Sequence, residues 1–171
     1  MQLSCRHDER LNWLPELVLL EDWSGSWKRY LEALYSYFKE DFVENKPVFR
    51  GQKVTFKRHP ILKGKEATFW HLISEGKEKE EKIDLRRCER IRWPRPIIEN
   101  WDTNVIKFWK NTRKGEIRIC LWLKDQEYLV ILAERKKYIL LWTAYMVTRP
   151  HRKAKLEKEH ENYWKNDTEK R

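Results

Sequence analysis

The chain has 171 residues, enough for one domain with a substantial core and too few for two. Ten tryptophans and 13% aromatic residues exclude a disordered polymer, although 37% of the residues are charged. The net charge of +10 is concentrated: residues 46–65 carry seven basic side chains and no acidic one, and residues 86–95 carry five arginines against Glu89.

In chain order, "MQLSCRHDER" has no apolar segment behind its charges, so no signal peptide is expected. "LPELVLLEDW" is broken by Pro15 and Glu16, and no apolar run approaches the roughly 20 residues of a membrane span. Ser24 or Ser26 can cap a helix reaching about Val43, with Trp27, Leu31, Leu34 and Phe38 on its apolar face. The basic stretch "VFRGQKVTFKRHPILKGKE" reads as short extended pieces joined by turns at Gly51 and Pro60. "EATFWHLISEG" reads as a short helix closed by Gly76, with Phe69, Leu72 and Ile73 inward and His71 and Ser74 off that stripe. "GKEKEEK" is a charged connector, and Asp84 can cap "LRRCERIRW", which puts Leu85, Cys88 and Ile91 on one side, Arg86 and Arg90 on the other, and stops at "WPRP".

After Asn104 the apolar period changes to two; over 116–123, Ile117, Ile119, Leu121 and Leu123 form a core face against a half-polar one of Glu116, Arg118, Cys120 and Trp122. Residues 105–110, 116–124, 127–135 and 137–147 read as four antiparallel strands with short turns at Lys114-Gly115, residues 124–126 and Lys136. A charged helix over residues 149–165 ends the chain. The expected fold is therefore α+β in a single domain, residues 1–171. It comprises a helical N-terminal part (1–45), a basic middle with short helices (46–100), a four-stranded antiparallel meander (104–147) and a C-terminal helix.

Several function classes are unsupported. The sequence has no phosphate-binding glycine loop, no dinucleotide fingerprint and no paired-cysteine or metalloprotease motif, so neither cofactor nor metal is expected. Cys5, Cys88 and Cys120 are too widely spaced for a disulfide framework and suit reduced, buried thiols of a cytoplasmic protein. The concentrated positive charge instead suits a phosphate polymer, because neutralising phosphates releases condensed counterions.

The last strand, "YILLWTAYM", carries Thr143 and Tyr145 on one face at its end, where a rigid backbone can present two hydroxyls to solvent. Cleaving RNA without a metal needs a base for the 2′-hydroxyl, an acid for the leaving oxygen and cations for the phosphorane charge. Histidine suits both proton roles near neutral pH, and arginine holds two phosphate oxygens in its planar fork. The chain offers His59 and His71, the arginine row that includes Arg87 and Arg90, and the Thr143/Tyr145 pair. Arg50, Lys53, Lys57, Arg58, Lys63, Lys65, Arg86, Arg92 and Arg118 are the further candidates for nucleic-acid contact. His151 and His160, in the charged tail, have no expected role.

This order of elements, ending in "WTAY", resembles the barnase/EndoU/colicin/RelE superfamily of ribonucleases, many of whose members are bacterial or phage toxins. The resemblance covers residues 55–147; Met146 stands where family members often have proline after the Thr-x-Tyr motif. "KRHPILKGKEATFWHLISEG" and "DLRRCERIRWPRPIIEN" also resemble strings of uncharacterised bacterial and phage-associated proteins. The resemblance implies a toxin-type endoribonuclease that needs no metal. It would make Thr143 and Tyr145 phosphate or base contacts, His71 the proton-transfer residue, and one of Arg86, Arg87, Arg90 or Arg118 the cation. The expected partners are RNA and an acidic antitoxin or immunity protein. Two alternatives stay open: a non-catalytic nucleic-acid-binding protein stacking bases on Trp70, Trp93 and Trp109, and a basic protein that docks an acidic partner.

Overall fold

The computed structural model describes residues 11–76 and 82–168, and is organised by one six-stranded mixed sheet. Its strands are β1 (Val48–Phe49), β2 (Gln52–Phe56), β3 (Ile106–Arg113), β4 (Glu116–Leu123), β5 (Tyr128–Glu134) and β6 (Ile139–Met146). Their order is β1-β2-β6-β5-β4-β3, antiparallel throughout except where β2 lies parallel to β6. The protein is α+β as expected, but the sheet is larger than the four-stranded antiparallel meander. Val54 and Phe56 bury one face of the basic middle at period two, which lets this stretch enter the sheet as β2.

Two of the tight turns have one chemistry. Arg50-Gly51 and Lys114-Gly115 are two-residue loops with positive φ at both positions, as a type I′ hairpin demands. Glycine carries the second position without steric cost.

The helices that precede β3 lie on one face. α1 (Trp27–Phe38) is capped by Ser26, whose Oγ accepts from the Arg29 amide, and it continues into a π-helical turn, Lys39–Glu44. Its buried residues are Tyr30, Leu34 and Phe38. Trp27, expected on this face, is exposed; Tyr30 takes the inward place because its hydroxyl donates to the Val18 carbonyl at 2.7 Å. Phe38 then meets the rings of Phe42, Phe56 and Phe69 at 5.7, 5.3 and 5.6 Å.

α2 (Ala67–Ile73) and α3 (Leu85–Glu89) pack against β6. α2 ends at Ser74, before Gly76, because Ser74 pairs with Ile83 across the connector. Residues 77–81 of that connector lie outside the described residues. Ser74 is buried rather than off the inward stripe, since its hydroxyl donates to the Trp70 carbonyl. Asp84 caps α3 as expected, accepting from the Arg86 amide at 2.9 Å, but Leu85, expected on the side of Cys88 and Ile91, is exposed in the first turn. "WPRP" does not simply stop that helix. Pro94 opens another, α4 (Pro94–Glu99), where a missing amide hydrogen costs nothing.

The charged tail forms α5 (Pro150–Thr168), which lies across the opposite face against β3. There Trp109, Cys120, Trp122, Leu129 and Ile131 make a second core cluster with Leu156 of α5. The expected half-polar face of β4 is therefore buried at Cys120 and Trp122, while Ile117, expected inside, is exposed. The tail also supplies ion pairs. Glu157 joins Lys107 and Lys124, and Lys153 meets Glu127 at 3.4 Å.

Two predictions test this docking. Leu156→Ala removes a side chain with 1% exposure and should destabilise the fold by about 2–4 kcal/mol in denaturant unfolding. His160 has a structural place after all, with its ring 5.8 Å from that of Trp109. Burial, reinforced by Lys107 and opposed by Glu157 and Glu161, lowers its pKa below the ordinary 6.5. The folded state thus favours neutral imidazole, so this contribution is present above pH 6.5 and lost as pH falls. Glu157, held below the ordinary 4.5 by hydrogen bonds from Lys107 and Lys124, fails only in a lower window. His160→Gln should therefore reduce the drop in melting temperature between about pH 7 and 5 and leave the drop below about pH 4.5 in place.

Candidate functional site at the end of the last strand

β2 pairs only with Ile139, Leu140 and Leu141 of β6, so among the described residues no strand neighbours 142–146 on that side. The same place holds a β-bulge. Leu132 faces Leu141 and Ile131 faces Thr143, which leaves Trp142 as the extra residue. Thr143 and Tyr145 pair with Ile131 and Leu129, both in the second core cluster, so the two hydroxyl residues share the α5 face of the sheet as expected.

Two arginines converge on Tyr145 from opposite sides of the sheet. The Arg87 guanidinium lies 5.3 Å from the Tyr145 ring centre, and its Nη1 donates to the His71 carbonyl at 3.2 Å. α3 buries Cys88 in the first core cluster, on the other face, so Arg87 reaches Tyr145 around the edge that β2 leaves open. From α5, Arg152 Nη2 donates to the Tyr145 hydroxyl at 3.0 Å. Two expected residues, Arg87 and Tyr145, are thereby brought together, Arg87 also holds the backbone of His71, and Thr143 stands two residues from Tyr145 on the same strand.

More positive charge adjoins. Arg113, Arg118 and Arg152 line one small enclosed space with Leu129 and Ile131, the partners of Tyr145 and Thr143. The one carboxylate there, Glu159, already accepts from Asn111 at 3.0 Å and from the Trp109 indole at 3.4 Å. Arg87 Nε and Arg118 Nε, like Arg90 Nε and Arg92 Nε elsewhere, are buried without a hydrogen-bond partner among the described residues. Asp84 is near Arg87 Nε, but at 3.9 Å it contributes ion pairing alone.

The other expected residues are elsewhere. His59 is exposed and adjoins the start of α2 through its neighbour Arg58, whose carbonyl accepts from the Ala67 amide, whereas His71 belongs to the last turn of α2. Arg90, expected outward, is mostly covered. It lies 5.0 Å over the Trp93 ring and donates to the Arg86 carbonyl and the Glu89 carboxylate. Arg86 is exposed beside Asp84.

The two basic segments do not form one surface. Lys65 is buried against Glu32 at 2.8 Å, and Arg92 is paired with Glu40 and Asp41. Arg50 stacks on Trp101 and Phe108, near the β3 edge of the sheet. Lys53, Lys57, Arg58 and Lys63 are exposed, and by strand alternation Lys53 and Lys57 fall on the same face as Thr55, on either side of it along the chain. The expected stacking residues Trp70, Trp93 and Trp109 are core, with exposures of 3%, 6% and 0%. Reading the sequence for charge runs missed Arg113 and Arg152, which are isolated from them along the chain. The signal for Arg118 and Arg113 was present in the period of β3 and β4; none marks Arg152, whose place depends on α5 folding back.

Cys88 and Cys120 are buried, and burial pushes both thiols up to about 12, so neither forms a thiolate near neutral pH. Cys5 lies outside the described residues. Among the described residues no three His, Cys, Asp or Glu side chains converge as a metal site, and no helix is long and apolar enough to cross a membrane. Compared with known proteins, the chain matches no family model, no curated protein and no solved structure.

Proposed function

We propose that this protein is an endoribonuclease of toxin type that cleaves RNA by 2′-hydroxyl transesterification at the end of β6. The observation that carries the reading is the convergence on Tyr145 of Arg87 and Arg152, with Arg87 also donating to the backbone carbonyl of His71. An RNA phosphate placed among these groups meets cations on two sides and hydroxyls from the strand between them. His71 takes the proton from the 2′-oxygen, which attacks phosphorus. The bond to the 5′-oxygen breaks, and that oxygen leaves with the proton returned by the His71 imidazolium. Arg87, Arg118 and Arg152 hold the phosphorane oxygens, where guanidinium groups fixed before the reaction cost no reorganisation. Thr143 and Tyr145 orient the phosphate. The products are a 2′,3′-cyclic phosphate and a 5′-hydroxyl. Each step uses only groups of this chain, so the proposed reaction needs no metal. An acidic antitoxin or immunity protein is the partner this charge suits, and the cytoplasm is the proposed compartment.

The test is turnover on single-stranded RNA in excess EDTA, with product ends analysed. Cleavage should persist and leave cyclic phosphate. Tyr145→Phe keeps the ring under Arg87 and should change stability by about 1 kcal/mol or less, yet lower turnover roughly ten- to a thousand-fold. His71→Ala should be at least as severe per folded molecule. Loss of activity on chelation with recovery in magnesium would refute the mechanism. Wild-type binding without any cleavage would favour the non-catalytic nucleic-acid binder, which draws on the same cations.

A further inference from the structure

Next to Trp142, on the side away from Tyr145, an open cavity of about 690 Å3 lies against the sheet. Its floor is Thr55 and Leu140, which face one another across the parallel β2–β6 pairing. Its walls include the rings of Tyr138, which is 48% exposed, and half-buried Trp142. Lys57 and Arg135 line it as well, and no carboxylate does. Glu116 holds Arg135 at 2.7 Å but is not part of the lining, so the cavity is positive and aromatic at once.

The bulge explains why a tryptophan stands here. As the extra residue opposite β5, Trp142 is not matched by a cross-strand partner. Arg118 lies 5.3 Å from its ring centre, yet Arg118 is not among the cavity walls. Trp142 thus carries a cation over its ring and also lines the cavity. A flat ring entering that space would complete a stack on Trp142.

We infer that this cavity is a base-stacking subsite for single-stranded nucleic acid. An unpaired base enters against Trp142 with Tyr138 beside it, and the flanking phosphates meet Lys57 and Arg135. Volume suits this occupant, since pockets for ligands of this size span about 300–1,000 Å3. Position suits it too. Trp142 and Tyr145 are three residues apart on one strand, roughly 10 Å, which about one to two extended nucleotides cover. A duplex presents no free base face, so the subsite selects unpaired strands. An acidic peptide would match the charge but gain nothing from the two rings. The inference rests on the reading that the end of β6 handles RNA phosphate, and it names the form of RNA.

The test measures anisotropy of a labelled 2′-O-methyl oligoadenylate, which cannot be cleaved, so binding is read apart from catalysis. Trp142→Leu should weaken binding roughly five- to a hundred-fold, the range for removing one base–aromatic stack. Trp142→Phe should retain most of the affinity, and Tyr138→Leu should weaken it in the same direction. The same strand annealed to its complement should bind at least about tenfold more weakly. Melting temperatures identify any variant that fails to fold, and Trp142→Phe keeps the comparison available if Trp142→Leu does. Equal affinity in wild type and Trp142→Leu, equal affinity for duplex, or no binding by wild type would each overturn the subsite. If oligoadenylate behaves as expected and no RNA is cleaved, the subsite stands and the cleavage reading fails. If RNA is cleaved while Trp142→Leu binds normally, the reverse holds.

Discussion

The short reach of β2 is the constraint on which the rest of this molecule turns. β2 pairs with three residues of β6 and then leaves the sheet through Lys57 and Arg58. Had it continued, its backbone would cover the edge of β6 beside Thr143 and Tyr145. Instead that edge stays open, and Arg87 passes from the helical face to the Tyr145 ring. The bulge at Trp142 adds local twist at the same point, so strand pairing ends and side-chain function begins within one turn of the chain. Central strands give such a site stiffness that a loop could not, because β5 still fixes the other edge of β6 through its whole length.

α5 makes the second half of the arrangement. Without it, Trp109, Trp122 and Leu129 would be a large apolar patch on an open sheet face. Covering them stabilises the fold and, in the same step, delivers Arg152 to the Tyr145 hydroxyl. The ion pairs of Glu157 with Lys107 and Lys124 fix the register of α5 more than they stabilise it, since their side chains are about a quarter to a half exposed. Trp164 guards the outer edge of the sheet, its indole donating to the Phe108 carbonyl at 2.9 Å.

Much of this was legible from period and caps. The helix cap at Ser26, the cap at Asp84, the inward stripe of α2 and the strands after residue 104 all follow from local rules that the tertiary structure did not overrule. What escaped was non-local. β2 is a strand because β6 is there to receive it, and its five residues carry two buried side chains among exposed and half-exposed ones. Trp109 and Trp122 are core because a segment of low mean hydropathy folds over them, and the half-polar reading of β4 had no means of knowing that. The charge runs misled for a related reason: Lys65 and Arg92 are spent on Glu32, Glu40 and Asp41, partners distant in sequence. In the candidate site, Thr143 and Tyr145 could be read from the strand, whereas the arginines that surround them come from four separate elements.

On the proposed function, anion binding belongs to the arginines around β6 and not to the basic runs as such. The salt dependence of RNA binding separates the two, because each phosphate left without its cation lowers the slope of log K against log salt by about 0.7 on single strands. Arg118→Gln combined with Arg152→Gln should flatten the slope by about 1.4, while Lys53→Gln combined with Lys63→Gln, on exposed residues of the basic middle, should leave it close to wild type. A slope that changes only in the second pair would contradict the account and return the binding surface to the basic middle.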